Sequence, residues 1–564
     1  MVRPPGQHLD PQTAREVAWR GKIPLVASGR LDQLGASFLL SLQLEAVGAQ
    51  PTTPRATWRQ TFTAQGKDGL FQTIREASTW IRSTAGEAPQ DLSARNQPVE
   101  HTTTSSWEAL RLFSQAEERV AQDHDEDAIL LLQEAVKVDP DFAMAHGRLG
   151  DLYVKLRRDA EGFQHWRQAV ATSGRRALTK REELRIKALY AMDTGDWRAA
   201  EGLFRTFALY FPNDYYPHFY HGMALVWGGR TGEAIAGFEE AERLRPALFP
   251  MPAHLAMTRF TLARFDEAAR DIARVRALGR EQWAGYLEGV AHFLQGRYPA
   301  ALEAFRALAQ SPDPPWRSRG HAVQACLLAE MGRYQEAARV LEAGVALDLK
   351  DEHTVGLAAN FLALAWMRYR NHEPAACRTA CLAALKLESS PRRLLYAGAL
   401  LARAGFPDDA EKVLSRRDLE GNLPVFHIAR HRILGEIHLA RGNAARALEE
   451  FRQADALDAP ARHREYLARA LELNGDREGA LRAYQQAVAS AALIWHAPEE
   501  DLPGLWAEAL FHHARLARSL GREQEFRTSI AQFIALTQQA DPGPGLPAEA
   551  RRMLAEAGAK PITQ

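Results

Sequence analysis

The sequence contains few cysteines for its length. Three cysteines, Cys326, Cys377 and Cys381, are too few for a disulfide framework in 564 residues. Cys377 and Cys381 stand four residues apart, a spacing that places two thiols on one face of a helix. A shared metal site would need further ligands, and no second cysteine pair is present to supply them. We therefore predict that all three are small residues of the core.

Charge of one sign and long apolar runs are also lacking. Lys plus Arg and Asp plus Glu number 70 each, so the net charge is zero and electrostatic capture of nucleic acid is not expected. No apolar run reaches the roughly 20 residues of a membrane span. The first residues, MVRPPGQHLDPQ, have no apolar region of the signal-peptide kind. We expect a soluble, cytoplasmic protein without a membrane span or a nucleic-acid partner.

Motifs of catalysis are absent as well. The chain has no kinase motif set, no GxxxxGK[ST] phosphate loop, no GxSxG elbow and no HExxH. The strongest metal candidate is His427, His431 and His438 with Glu436, whose spacing could bring them to one helix face. These histidines occupy ordinary helix positions, and we interpret them as structural or surface residues. The sequence predicts no enzyme, no cofactor and no metal.

What the sequence has is an internal period. Turns such as Gly296-Arg297-Tyr298-Pro299-Ala300-Ala301 recur, and the small residue that ends each turn returns every 33 to 39 residues. These residues are Ala128, Gly162, Ala200, Ala234, Ala268, Ala301, Ala337, Ala376, Ala410, Ala447 and Ala480. In most units a large apolar residue lies four positions after this small residue, and another Ala or Gly lies twelve positions before it. Small residues allow two antiparallel helices to pack closely, so we predict a repeated helix pair.

This pattern resembles the tetratricopeptide repeat over residues 107–540, in about twelve units. The resemblance implies a superhelical α-solenoid in which the first helix of each unit lines the concave face. Repeat turns and insertions, such as the proline-bracketed segment 495–503, fit this architecture. A short helix near 547–557 would cap the end of the array.

The residues before the repeats follow another pattern. A helix is expected over 11–20 and a β-hairpin over 21–48, with its turn at Leu34-Gly35. A third strand over 56–64 and a helix over 68–83 complete an α-β-β-β-α order. Three strands and two helices make a thin unit that is marginal by itself.

The N-terminal segments, including "ASGRLDQLGASFLLSLQLEAVG" and "HTTTSSWEALRLFSQAEE", resemble the C-terminal halves of bacterial serine/threonine kinases and related signalling regulators with tetratricopeptide repeats. The similarity covers about residues 10–250. It implies that 1–84 is the second half of a TolB-N-terminal-like α/β domain, followed by a polar linker at 85–106, the solenoid at 107–540 and a capping helix and tail at 541–564. A strand edge would then be left open, and we expect it to be exposed, covered by the first repeats or paired with another chain.

Groove-facing positions of repeats four to six are rich in aromatic and Met residues, which suit recognition of a peptide or protein. The predicted groove consists of Tyr216, Phe219, Met223, Trp227, Met257, Phe260, Trp283, Tyr286 and Phe293, to which Val290 is adjacent. The alternative is that neighbouring repeats bury these side chains. We predict a non-catalytic scaffold for protein or peptide interactions in bacterial signalling. The alternative function is a regulatory or sensor module of a kinase or cyclase whose catalytic domain lies outside this chain.

Overall fold

The computed structural model describes residues 10–50, 52–67, 69–90, 92, 103–122, 124–175, 178–387, 390–416, 423–457, 464–495, 505–543 and 545–558. The chain divides into two compact units, residues 1–152 with 162–186 and residues 153–161 with 187–564. Half of the predicted linker at 85–106 and most of the predicted loop at 495–503 lie outside the described residues.

The first unit begins with the predicted α-β-β-β-α order. Its elements are α1 (Pro11–Arg20), β1 (Leu25–Leu34), β2 (Ser37–Ala46), β3 (Ala56–Gln65) and α2 (Leu70–Thr84). The three strands form one antiparallel sheet in the order β1-β2-β3. A two-residue turn with Gly35 in the left-handed region joins β1 to β2, because a tight hairpin turn requires positive φ. The predicted hairpin, third strand and flanking helices are confirmed.

One face of the sheet carries the apolar residues of β2. Leu44 is buried on this face, and the ring of Phe62 on β3 meets Trp80 of α2 edge-on, with centroids 6.2 Å apart. Helix α2 also reaches the first repeat, where Phe71 packs against Trp107 at 5.8 Å. On the other face, Arg15 of α1 forms an ion pair with the buried Glu45 of β2 at 3.0 Å.

Twelve helix pairs follow within the described ranges, as the repeat predicts. Their bounds are α3 (Trp107–Ala121), α4 (Asp125–Val138), α5 (Ala143–Lys155), α6 (Asp159–Ser173), α7 (Lys180–Asp193), α8 (Trp197–Tyr210), α9 (Tyr215–Trp227), α10 (Thr231–Leu244), α11 (Pro250–Thr261), α12 (Phe265–Ala277), α13 (Glu281–Leu294), α14 (Tyr298–Ala309), α15 (Pro314–Glu330), α16 (Tyr334–Lys350), α17 (Thr354–Arg370), α18 (Pro374–Leu387), α19 (Pro391–Arg403), α20 (Pro407–Leu414), α21 (Pro424–Ala440), α22 (Ala444–Leu457), α23 (Arg464–Leu473), α24 (Arg477–Ala489), α26 (Leu505–Ser519) and α27 (Glu523–Leu536). Between the last two pairs lies the short helix α25 (Ala491–Ile494), and α28 (Leu546–Glu556) follows the last pair. The repeat architecture is confirmed.

Small residues stand at the helix crossings because the facing helix carries a large side chain there. Ala200, Ala234 and Ala301 are fully buried. A Cβ added to Gly289 would lie 2.3 Å from Cε1 of Phe305, and one added to Gly435 would lie 2.4 Å from Cε1 of Phe451. Because real Cβ contacts are longer, only glycine fits beneath these rings without movement.

The turn inside each pair fixes which residue reaches the crossing. In most pairs this turn contains a glycine in the left-handed region, and the buried small residue follows five positions later. In the eighth pair the left-handed residue is His372, with φ of 60°, so the buried residue is Cys377 and not Ala376. The prediction for Ala376 was wrong by one residue because Ala375, Ala376 and Cys377 are consecutive small residues, and the sequence alone does not show which of them reaches the crossing. Cys326, Cys377 and Cys381 are all buried, as predicted.

Late helices of the second unit return to earlier repeats. The Glu330 carboxylate at the end of α15 accepts a hydrogen bond from the backbone N–H of Ala507 in the first turn of α26, at 2.8 Å. A carboxylate in this place satisfies a free N–H and complements the positive end of the helix dipole. Beyond α27, the N–H of Asp541 donates to the Gly332 carbonyl at 3.0 Å. None of the helices in the described ranges is long and apolar enough to cross a membrane.

Candidate functional site

The nine predicted groove residues lie on α9, α11 and α13, the first helices of repeats four to six. They fall into two groups by exposure. Half-buried side chains, which keep part of their surface in solvent, are Tyr216, Phe219, Met223, Trp227 and Trp283; buried side chains are Met257, Phe260, Tyr286 and Phe293. The half-buried group is the part of the predicted groove that a partner could reach.

Phe219 and Met223 form the exposed edge of a core cluster in repeat four. Both pack on a cluster that contains Phe238 and Leu255. Phe219 also meets His254 of α11 edge-on, with ring centroids 5.2 Å apart. The two consecutive first helices α9 and α11 therefore share one aromatic contact on this surface.

His254 is neutral at physiological pH. Its ring stacks on Phe238, with centroids 5.6 Å apart and planes 22° from parallel. Burial among aromatic rings disfavours the imidazolium and lowers the pKa of His254 to about 4. The histidine thus adds a hydrogen-bonding ring without a charge to the surface.

Tyr216 and Trp227 lie at opposite ends of α9, each against a neighbouring aromatic ring. Trp227 stacks on Trp197, with centroids 5.9 Å apart. Tyr216 meets Tyr220 at 4.5 Å. Both rings also take part in packing α8 against α9, since the ring centroid of Tyr216 lies 6.4 Å from that of Phe207 of α8.

Trp283 belongs to a second aromatic cluster, around the start of α13. Its ring meets Trp316 of α15 edge-on at 5.2 Å and Phe249 at 5.9 Å. The guanidinium of Arg319 lies over Trp283 and over Trp316, 5.3 Å from each ring centroid. Trp316 and Arg319 are half-buried, so the cluster offers two indole rings and a positive charge at the surface.

The chain itself covers Tyr286 and Phe293. Trp495, directly after α25, packs on Phe293 with ring centroids 5.0 Å apart, and Trp506 of α26 packs on Phe293 at 5.4 Å. The Tyr286 hydroxyl donates a hydrogen bond to the backbone carbonyl of Trp495. Because these contacts bury Tyr286 and Phe293, the open part of the surface lies in Phe219, Met223, His254, Trp283, Trp316 and Arg319. We name these six residues the aromatic surface.

The remaining chemical candidates are engaged in packing within and between neighbouring repeats. The carboxylate of Glu436 forms ion pairs with Arg403 and Arg469, and His431 Nδ1 lies 2.8 Å from Glu450 Oε2. A hydrogen bond with Cys377, together with burial, raises the pKa of the Cys381 thiol. No group of three or more His, Cys, Asp or Glu side chains in the described ranges is placed to hold a metal ion.

The sequence prediction missed three residues of the aromatic surface, His254, Trp316 and Arg319. Trp316 is the third residue of α15, as Trp283 is the third residue of α13, and this shared position is a signal that the sequence contains. His254 and Arg319 have no comparable signal, because their role depends on rings contributed by other helices.

Comparisons with known proteins agree with the repeat. The family model for the tetratricopeptide repeat matches residues 113–176, 187–248 and 255–315, and these ranges are similar to that repeat. No curated protein sequence matches the chain.

Among solved structures, a tetratricopeptide repeat protein from Parabacteroides merdae is 17% identical and covers 52% of this chain and 98% of its own, with a TM-score of 0.30. Yeast Tom70 is 13% identical and covers 73% of this chain and 99% of its own, with a TM-score of 0.32. The Cut9–Hcn1 hetero-tetramer of APC/C is 12% identical and covers 80% of this chain and 95% of its own, with a TM-score of 0.31. These likenesses say nothing about the partners of this chain.

Proposed function

We propose that this protein is a non-catalytic scaffold whose aromatic surface binds a segment of a protein partner. The observation that carries the proposal is the pair of half-buried aromatic clusters on consecutive first helices, Phe219 with His254 and Trp283 with Trp316. Large rings that keep part of their area in solvent supply most of the binding energy in protein interfaces. Packing against neighbouring helices also holds these rings in place before a partner binds, which reduces the entropy lost on binding.

The chemistry of the surface favours a peptide with an apolar anchor beside an acidic group. The rings of Phe219 and Trp283 and the thioether of Met223 suit an aliphatic or aromatic side chain. Arg319 brings a guanidinium to the same cluster as Trp283, where a carboxylate of the peptide can approach it. The neutral ring of His254 adds a hydrogen bond without repelling a basic residue.

Selection from a random peptide library, followed by calorimetry of the selected peptides, tests this function. We expect the selected peptides to combine a large apolar residue with Asp or Glu. Phe219→Ala with Trp283→Ala should weaken their binding by at least about tenfold, since hot-spot truncations cost about 2 kcal/mol or more. The matched control is Leu209→Ala, which removes an exposed apolar side chain of α8 that lies outside the aromatic surface. Peptides that bind the double variant as tightly as the unchanged protein would refute the surface.

We also propose that the protein acts in the cytoplasm, in bacterial signalling. The support is the similarity of residues 10–250 to kinases and regulators that carry the same N-terminal elements and repeats. The same similarity supports the alternative, that the chain is the regulatory module of a kinase or cyclase. The reading frame before the codon of Met1 distinguishes the two: a catalytic domain in frame supports the module, and a stop codon supports the separate scaffold.

A further inference from the structure

The outer edge of β1 is open over the described residues. The sheet order β1-β2-β3 makes β1 an edge strand, and its backbone pairs with β2 on one side only. Helix α1 lies at the far end of the strand, because Arg15 binds Glu45 and Glu45 pairs with Val26. The stretch from Ser28 to Leu34 therefore presents unpaired backbone N–H and C=O groups, which form a template for another strand.

The side chains of this stretch are also exposed, and two of them are apolar. Leu31 is 53% exposed and Leu34 is 65% exposed. Leu31 pairs with Leu40 of β2, and Leu40 pairs with Phe62 of β3, so the three form one apolar row across the sheet. Helix α2 covers this face of the sheet near β3. The apolar row lies on the same face and ends at the open edge with Leu31.

The charges of the edge are arranged symmetrically about Leu31. Arg30 precedes it and Asp32 follows it, and the two side chains form an exposed ion pair along their own strand at 2.7 Å. A parallel second copy would place Arg30 opposite Arg30, which is repulsive. An antiparallel copy centred on Leu31 instead places each Arg30 opposite Asp32 and Leu31 opposite Leu31. In that register Gly29 lies opposite Gln33, and because glycine has no side chain there is room for the side chain of Gln33.

We propose that a second copy of this chain pairs antiparallel with β1, centred on Leu31, and joins the two three-stranded sheets into one continuous sheet. The apolar row then runs from Phe62 through Leu40 and Leu31 into the same residues of the second copy. Such a two-fold contact is self-complementary, as a symmetric dimer requires. The other edge, β3, does not have this property, because its single charge is Arg59, which donates to Gln43. The proposal goes beyond peptide binding, since it concerns the first unit and none of its residues belongs to the aromatic surface.

Sedimentation velocity of the full chain over a wide range of concentrations tests the dimer. The unchanged protein should form a reversible dimer. Asp32→Arg places Arg opposite Arg at two positions and should raise the dissociation constant by about tenfold or more, and Arg30→Asp should do the same. The double variant Arg30→Asp with Asp32→Arg restores opposite charges and should recover the dimer. Arg111→Glu, which reverses an exposed charge of α3 in the same unit, should have no effect.

A cysteine scan tests the register. The three native cysteines are buried, so an introduced surface thiol is the one that diamide oxidises. Leu31→Cys places two thiols opposite each other and should give a covalent dimer, whereas Leu34→Cys should not, because Ser28 faces it. Unchanged circular dichroism and melting show that each variant is folded. A monomer at every concentration, a dimer that Asp32→Arg leaves intact, or more efficient cross-linking of Leu34→Cys would overturn the proposal.

Discussion

The hydroxyl of Tyr286 donates a hydrogen bond to the backbone carbonyl of Trp495, which follows it by 209 residues. Together with the ring of Trp495 on Phe293, this contact fastens the chain directly after α25 to the sixth repeat. Trp495 thus occupies part of the face that the sequence marks for a partner.

Trp495→Ala should loosen this part of the second unit. Loss of a buried tryptophan costs about 3–5 kcal/mol, because the cavity it leaves is only partly refilled. Amide hydrogen exchange should become faster in α13, where Tyr286 and Phe293 lose their cover, and a hydrophobic dye should bind more strongly. The control is Trp58→Ala on the partly exposed strand β3, which should leave exchange in α13 unchanged. Equal exchange in both variants would contradict the packing role of Trp495.

The repeat could be predicted from the sequence because one local rule acts in every unit. A left-handed turn places a small residue at the helix crossing, and this requirement is visible as Gly and Ala at fixed spacing. Arg157 and Ala263 also form this turn with positive φ and without glycine, and there the buried small residue still follows five positions later. The rule became ambiguous at His372 because Ala375, Ala376 and Cys377 are consecutive small residues. The cover over Phe293 could not be predicted, since the positional pattern of a helix does not show which distant segment packs on it. The predicted groove residues of α9 remain half-buried because no described segment packs on them as Trp495 packs on Phe293.

Gly289→Ala should destabilise the sixth repeat. The new methyl group would meet the ring of Phe305 at 2.3 Å, and the resulting shift costs about 1–3 kcal/mol. Gly202→Ala is the matched control, because a Cβ there, in the middle of α8, meets nothing within 4 Å. That change should stabilise the protein by about 0.5–1 kcal/mol through the unfolded chain. Urea denaturation measures both, and shifts of the same sign would contradict the close packing of Gly289.

His372→Gly should stabilise the eighth repeat by about 0.5–1 kcal/mol, because φ of 60° is unfavourable for a residue with a Cβ and free for glycine. His372→Ala keeps the Cβ and should not give this gain. Thermal unfolding of the two variants compares them directly. A gain of equal size from alanine would show that the imidazole, and not the backbone, is the source of the strain.

Stability should decrease as the pH falls from 6.5 towards 4. Burial lowers the pKa of His254 and of His512 to about 4, whereas an unfolded histidine titrates near 6.5. Within this window the unfolded state binds more protons, so acid favours unfolding, by on the order of 3 kcal/mol for each histidine at pH 4. His254→Gln with His512→Gln should flatten the dependence of the urea midpoint on pH. An unchanged slope in the double variant would mean that neither histidine is neutral in the folded protein.

The buried ion pair of Arg403 and Glu436 joins repeats nine and ten, and substitutions there measure its contribution to stability. The two groups lie 2.8 Å apart, only 6% and 1% exposed, and the Arg403 guanidinium also stacks on the ring of Tyr466 at 4.6 Å. Arg403→Met leaves the carboxylate buried with Arg469 alone, which should cost about 3–5 kcal/mol in urea denaturation.

Adding Glu436→Leu to Arg403→Met removes the stranded charge, and Arg469 is exposed enough to turn its guanidinium to solvent. The double variant should therefore recover most of the stability, as apolar replacements of whole buried ion pairs do. Arg243→Met, which breaks the exposed pair with Glu240, should leave the urea midpoint unchanged. If the double variant were less stable than Arg403→Met alone, the remaining ion pair of Glu436 with Arg469 would stabilise the fold by more than the burial of unpaired charge costs.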